Sequence, residues 1–304
     1  MEKICFVILH YMSYKDTVEC VESILNNVNY NNYNIIVVDN NSSNDSGKKL
    51  INRYTLNDLV EIIINNKNLG FAKGNNIGYK IAKEKYNAEF IVAINNDTII
   101  EQKEFLNLII EQYKESRFYL LGPDILSADG IHQNPQRLEG MKLEEVENLI
   151  QFYTKQYLKN KIIDIFKIHS LGVRIKKTMG KNNNIQTKEN VIYENKVMDN
   201  VQLHGSCIIF SPLYIMNLDY AFYPETYMYG EEDILFYLCK INNYKIIFDP
   251  KIKIFHKEDV STNYVLNNEI KKRLFVMKNG KESMVILKRI MLTNKLRSNN
   301  EENL

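Results

Sequence analysis

A chain of 304 residues, 45% hydrophobic and 25% charged, has an ordinary globular composition and room for one large domain or two modest ones. Its net charge of +2 supplies no global field for nucleic acid, and its Lys-rich patches read as solvated faces. Apolar runs stop far short of the ~20 residues that span a bilayer, and no basic, then apolar leader precedes the first strand, so a cytoplasmic protein is expected. Cys5, Cys20, Cys207 and Cys239 lie far apart with no C-x-x-C pair; Cys5 and Cys207 fall inside apolar runs and read as small core residues of a reducing compartment.

In chain order, Ile4–His10 is an apolar run expected to form a buried strand, and Asp16–Asn27 carries Val18, Val21, Ile24 and Leu25 on one helical face. Asn34–Val38 is a second strand that ends in Asp39-Asn40-Asn41-Ser42-Ser43, and a helix is expected over Asp45–Tyr54. Val60–Ile64 is a third strand, which runs into a polar stretch before a helix at Asn76–Tyr86. Strands alternating with helices at this spacing predict βαβ units and a mainly parallel α/β sheet. The fourth strand, Phe90–Ile94, ends abruptly in Asn95-Asn96-Asp97. Open α/β sheets bind ligands at such carboxyl ends, and Asp97 offers a hard oxygen to Mg²⁺ or Mn²⁺; a simple Asn/Asp turn is the bland alternative.

Two earlier stretches pose the same choice. Asp39 can accept from a nucleobase N–H or a ribose hydroxyl, or can close the turn before the next helix, which Ser42, Ser43 and Asn44 could supply without it. Asn68-Leu69-Gly70-Phe71-Ala72-Lys73-Gly74-Asn75-Asn76 puts glycines and amides before a helix, where backbone can approach a phosphate or sugar. It matches neither the dinucleotide fingerprint nor the P-loop, and Gly70, Gly74 and Gly78 could equally serve close helix packing.

Beyond residue 100 the pattern predicts a helix and a strand to Leu121, a turn at Gly122-Pro123-Asp124, a polar loop over 128–140 and a helix at Leu143–Leu158. A Lys/Asn-rich stretch at Lys176–Asn190 belongs to an insertion over about 140–200. Cys207–Phe210 is a strand behind the turn His204-Gly205-Ser206, where His204 is either a substrate contact or a structural histidine. Glu231-Glu232-Asp233 open a helix whose apolar face is Ile234, Leu235, Leu238 and Ile241. The helix dipole favours acids there, but three together exceed capping, and their mutual repulsion raises a pKa toward that of a general base. Two strands, Lys245–Phe248 and Lys251–His256, are expected around Asp249-Pro250, with His256 able to join a metal if it faces Asp97. The tail over 261–304 reads as a basic amphipathic helix, which packs on its own domain or lies on an anionic bilayer surface.

This order of motifs, V-I-L-H-Y, V-V-D-N-N-S-S-N-D-S, N-L-G-F-A-K-G-N-N-I-G, I-N-N-D, H-G-S-C, Y-G-E-E-D-I-L and F-H-K-E-D, resembles family 2 glycosyltransferases with a GT-A fold, over roughly residues 1–260. Within that family the chain is similar to bacterial rhamnosyltransferase-like enzymes of polysaccharide assembly. The resemblance implies a nucleotide-sugar-binding half over 1–100 and an acceptor-binding, catalytic half over 101–260 of one Rossmann-like domain. It implies inverting transfer from a UDP- or dTDP-sugar to a hydroxyl of a glycan or lipid-linked glycan, for a capsule, O-antigen or exopolysaccharide, with Mn²⁺ or Mg²⁺ as cofactor. Carried onto this chain, Asp39 holds the donor base, Asn41, Asn95 and Asn96 belong to the donor site, and Asn68, Gly70, Ala72, Asn75 and Asn76 lie beside the diphosphate and sugar. Asn95-Asn96-Asp97 fall on the D-x-D position; Asn replaces the first Asp, so Asp97 carries most of the metal affinity, with His256 completing the site. His204, Gly205 and Ser206 face the acceptor, and the base falls among Glu231, Glu232 and Asp233: counting back from Tyr244 selects Glu232, and matching by residue type selects Asp233. A sugar-phosphate nucleotidyltransferase would need a Gly-rich basic loop after the first strand, where this chain has His10-Tyr11-Met12-Ser13-Tyr14. A non-catalytic glycan-binding subunit would not need the acid cluster.

Overall fold

In the computed structural model, residues 1–165, 193, 195–257 and 269–301 are described; the expected Lys/Asn-rich stretch and the start of the tail lie outside them. The chain divides into two compact units, Met1–Gly140 with Asn190–Val265, and Met141–Glu189 with Leu266–Leu304.

The first unit is built on a nine-stranded sheet. Strands β1 (Ile4–His10), β2 (Tyr33–Asp39), β3 (Val60–Ile64) and β4 (Phe90–Asn95) alternate with helices α1 (Tyr14–Asn27), α2 (Ser46–Tyr54) and α3 (Gly70–Glu84). They pair in parallel in the order β3-β2-β1-β4, as right-handed βαβ crossovers demand. There follow β5 (Thr98–Ile99), α4 (Phe105–Ser116), β6 (Leu120–Ser127), β7 (Met198–Asp199), β8 (Cys207–Phe210), α6 (Pro212–Asn217), α7 (Glu231–Ile241) and β9 (Ile246–His256). β8 inserts antiparallel between β4 and β6, β6 pairs in parallel with β9, and β5 and β7 add short antiparallel pairs to β9. Alternation sends Phe90, Val92 and Ile94 of β4 to the layer of α1, α2 and α4, and Ile91 and Ala93 to the layer of α3, α6 and α7. Both faces are covered, which is why the central strands read as continuous apolar runs.

Three expected boundaries move. α3 begins at Gly70, not Asn76: Gly74 packs on Leu9 and Gly78 on Val7, so glycines that resemble a loop let a helix sit close on β1. Gly122-Pro123-Asp124 is not a turn but part of β6; the missing Pro N–H coincides with a register shift against β9 between Pro123 and Asp124. The two strands expected around Asp249-Pro250 are one, β9.

The second unit packs helix α5 (Leu143–Ile165), longer than expected, against α8 (Glu269–Glu301). Val146 and Leu149 of α5 and Met284, Leu287 and Met291 of α8 are its buried apolar residues, and the Tyr153 ring lies on Gly280. A surface ion pair joins Lys288 Nζ to Glu147 Oε1 at 2.8 Å.

Candidate active site

Strand register brings three carboxyl ends level, because His10 pairs with Asp39 and Leu9 with Asn95. Burial pushes the His10 imidazole down to about 4, against the pull of the Asp39 carboxylate 3.8 Å away, so the ring is neutral. A neutral ring has one donor and one acceptor nitrogen; the hydroxyls of Thr17 (2.6 Å from Nδ1) and Ser46 (2.8 Å from Nε2) satisfy either tautomer. Asn96 Nδ2 donates to Ser13 Oγ at 2.6 Å and to Thr17 Oγ1 at 2.8 Å. Both hydrogens of the Asn96 amide are therefore engaged at the start of α1.

Asp39 is 2% exposed and accepts from the Ser42 amide at 3.2 Å and the Ser42 hydroxyl at 2.5 Å. The turn after β2 is thus closed by Asp39 itself, with Asn41 exposed beside it at φ 63°.

Asn40, which sequence reasoning passed over, organises the neighbouring loop. Its Nδ2 donates to Asn68 Oδ1 and Gly70 O, both at 3.0 Å, and its Oδ1 accepts from Asn65 Nδ2 and the Leu69 amide. The available signal was position: an amide directly after a strand can use both donors and its acceptor to hold a loop on the strand end. Asn68 Oδ1 also accepts from the Gly70 amide and the Tyr227 hydroxyl. Gly70 has φ +80°, and a Cβ there would collide with the Tyr227 carbonyl. The close backbone approach that this glycine permits is to the aromatic segment before α7. Of the other residues expected at the donor, Ala72 is fully buried, Asn75 donates back to Phe71 O, and Asn76 bonds the backbone of Ala221 and Phe222.

Asp97 and His256 are brought together, since β5 next to Asp97 pairs with the end of β9. His256 Nε2 lies 3.2 Å from Asp97 Oδ1, and its Nδ1 is 2.7 Å from Gln133 Oε1. Both ring nitrogens face oxygens, and when Nδ1 donates to Gln133 the Nε2 lone pair points at the carboxylate. A cation would relieve that opposition, and a carboxylate oxygen beside an imidazole nitrogen is a donor set that would suit a divalent metal. Among the described residues no third His, Cys, Asp or Glu joins them. Lys257 anchors the end of β9 through ion pairs to Asp16 at 2.7 Å and Glu19 at 2.5 Å.

The acids of α7 follow Gly230, whose φ of 79° turns the chain into the helix. Glu231 is 2% exposed, and its Oε1 has no hydrogen-bond partner among the described residues. Burial, then the Glu232 charge, pushes its carboxyl up to about 8. Glu232 lies on Gly205, where a Cβ would strike Oε1. Asp233 Oδ1 accepts from Gln202 Nε2 at 2.9 Å. The turn under Glu232 is tied to β4, because Ser206 O accepts from the Asn95 amide at 2.8 Å. His204 Nδ1 pairs with Ser206 Oγ at 3.0 Å, and its ring centre is 5.9 Å from that of His256. His204–Ser206 thus spans from Glu232 to the Asp97–His256 pair, whereas Asp233 is held by Gln202.

The Glycosyl transferase family 2 model matches residues 5–178. Over 134 residues the chain is 24% identical to the low-salt glycan biosynthesis hexosyltransferase Agl10 of Haloferax volcanii, covering 44% of this chain and 40% of that protein. Over 115 residues it is 30% identical to the glycosyltransferase GlyG of Streptococcus pneumoniae, covering 38% and 36%. The chain thus spans about two-fifths of the length of these curated relatives. S. aureus TarS 1–349 superposes with a TM-score of 0.52 at 15% identity, covering 84% of this chain and 60% of that one. The TarS complex with UDP gives the same TM-score at 14% identity, covering 90% and 65%. The likeness shows a shared GT-A fold.

Proposed function

Because the chain belongs to glycosyltransferase family 2, we propose that it transfers a hexosyl or rhamnosyl unit from a UDP- or dTDP-sugar to a hydroxyl of a bacterial surface glycan, with inversion. One observation carries the reading: the His204–Ser206 turn sets the Glu232 carboxylate and the Asp97–His256 pair at its two ends. TarS has been solved with UDP and with UDP-GlcNAc, which supports a uridine donor.

Asp39 and Asn41 receive the base and ribose, and Asn95 lies beside the sugar. Asp97 and His256 hold Mn²⁺ or Mg²⁺, which when bound neutralises charge on the leaving diphosphate. Glu232 takes the proton of the attacking hydroxyl, as a base does on the open face of an inverting site. Asp233, which matching by residue type selects as the base, instead fixes the first turn of α7 through Gln202. Glu232→Gln and Asp97→Ala each lower turnover by about a hundredfold or more with melting unchanged, and Asp233→Asn lowers it less.

The experiment is a thermal-shift panel of UDP, dTDP and their sugars with and without Mn²⁺. Ligand at a hundredfold excess over Kd adds about 2.7 kcal/mol of stability. Metal-dependent stabilisation by one nucleotide, strengthened by one sugar, supports the reading and names the donor. A flat panel removes Asp39 and Asp97 from donor binding and favours a glycan-binding subunit.

A further inference from the structure

A second cluster of chemistry-bearing side chains lies on β6, outside the residues assigned so far. Between Pro123 and Asp124 the pairing of β6 with β9 jumps from Asp249 to Lys253, so the unpaired residues belong to β9. Asp124 is 4% exposed, and each of its carboxylate oxygens has a partner. Oδ1 is 2.7 Å from His132 Nδ1, and Oδ2 accepts from the Tyr193 hydroxyl at 3.2 Å. The Tyr193 ring stacks on His132, with centroids 3.6 Å apart and planes at 16°. Burial and the Asp124 charge push the Tyr193 phenol up to about 12, so it keeps the proton it donates. Because the Asp124 carboxylate accepts the hydrogen bond from Nδ1–H, the orientation and tautomer of the imidazole are set, and Nε2 is left for a ligand. The His132 side chain is 31% exposed, and its Nε2 makes no hydrogen bond among the described residues.

The placement ties this cluster to the reaction. His132 bridges to Leu126 of β6; the next residue, Gln133, holds His256, and Asn134 Oδ1 accepts from the His204 amide at 2.7 Å. One three-residue run therefore carries the His132 ring, supports the candidate metal pair and fixes the turn under Glu232. Nearby Asp129 and the Asp124 charge disfavour an anion, and exposed Leu126 and Ile131 suit the apolar face of a pyranose.

We propose that His132, oriented by Asp124 and backed by Tyr193, is a subsite for the acceptor sugar, with Nε2 bonding a hydroxyl of the neutral ring that is to be extended. The proposal rests on the transferase reading.

The test uses the full chain, methyl glycosides of neutral hexoses as acceptor probes, and UDP and dTDP as donor-side probes. Glycoside affinity is measured by saturation-transfer NMR and nucleotide binding by thermal shift. His132→Phe keeps a ring on Tyr193 but lacks Nε2; it should weaken glycoside binding about tenfold, the scale of one hydrogen bond, and leave nucleotide stabilisation unchanged. His132→Gln, whose amide nitrogen reaches toward the place of Nε2, should restore part of that affinity. Equal glycoside affinity in wild type and His132→Phe overturns the subsite. So does wild-type protein that nucleotide stabilises but no glycoside binds, or a loss in both arms that His132→Gln shares. If no nucleotide stabilises the wild type, the transferase reading itself falls, and the subsite with it.

Discussion

Glu231 is a carboxyl at a helix N-terminus, where the dipole favours negative charge, yet burial decides its state. An ionised carboxylate with one oxygen lacking a partner costs several kcal/mol inside a protein, more than the ~0.3–1 kcal/mol that a helix end returns. Its carboxyl therefore moves from an ordinary 4.5 up to about 8. The folded chain binds this proton more tightly than the unfolded chain. The associated stability is complete below 4.5 and is lost as pH climbs through 8. Melting temperature should accordingly fall between 4.5 and about 8 on the pH scale, and Glu231→Gln should flatten the fall and melt higher at the alkaline end. Parallel slopes in the two proteins would show that Glu231 is charged across the range. Neutral Glu231 also spares Glu232 and Asp233 a third adjacent charge, which keeps a base next to the acceptor turn without a cluster of three anions.

At the scale of elements, α3 shows what an amide can do at an interface. Asn76 donates to Phe222 O and accepts from the amides of Ala221 and Phe222 at 2.7–3.0 Å, joining α3 to the segment before α7. Asn76→Ala strands those backbone groups and should cost about 2–3 kcal/mol in urea unfolding while UDP affinity stays within about twofold, since its side chain is turned from the strand ends. A large loss of UDP affinity without a loss of stability would put Asn76 back on the donor. The parallel half of the sheet was legible because strands covered on both faces must be continuously apolar, and β1 to β4 are. Asn95–Asp97 and Glu231–Asp233 stood out because polar groups end those apolar stretches abruptly. What stayed hidden was set by tertiary contact. Gly74 and Gly78 weaken a helix locally and earn their place only against Leu9 and Val7. Pro123 reads as a turn until β9 supplies a bulge opposite it. Asn40 resembles its polar neighbours, and nothing local distinguishes the one that gathers a loop from the one, Asn41, left exposed. The Asp124–His132–Tyr193 cluster joins residues some sixty positions apart in the chain, beyond the reach of any spacing rule.

At the scale of the whole molecule, a net charge of +2 supplies no strong global field, and among the described residues no helix is long and apolar enough to cross a membrane. An acceptor carried on lipid would still reward attachment to a surface, and the second unit has the features for it. Leu158, Ile162 and Ile165 are each more than half exposed and recur at helical spacing along one stripe of α5. Lys155, Lys159 and Lys161 flank that stripe against a single acid there, Asp164, while Glu144, Glu145 and Glu147 stay in the first turns of the helix. So short an apolar stripe is too small to hold a bilayer alone, so attachment must draw on anionic headgroups and weaken as salt screens them. The full chain should therefore sediment with phosphatidylglycerol vesicles at low ionic strength, detach at about 0.5 M salt and ignore phosphatidylcholine. Replacing Leu158 and Ile162 together with Ser should leave the protein in the supernatant without lowering its melting temperature, because both side chains already face water. Wild-type protein that stays in solution with anionic vesicles, or a double variant that sediments as well as wild type, would remove α5 as the attachment surface. In that event lipid-linked acceptors would have to reach the site with no help from this helix.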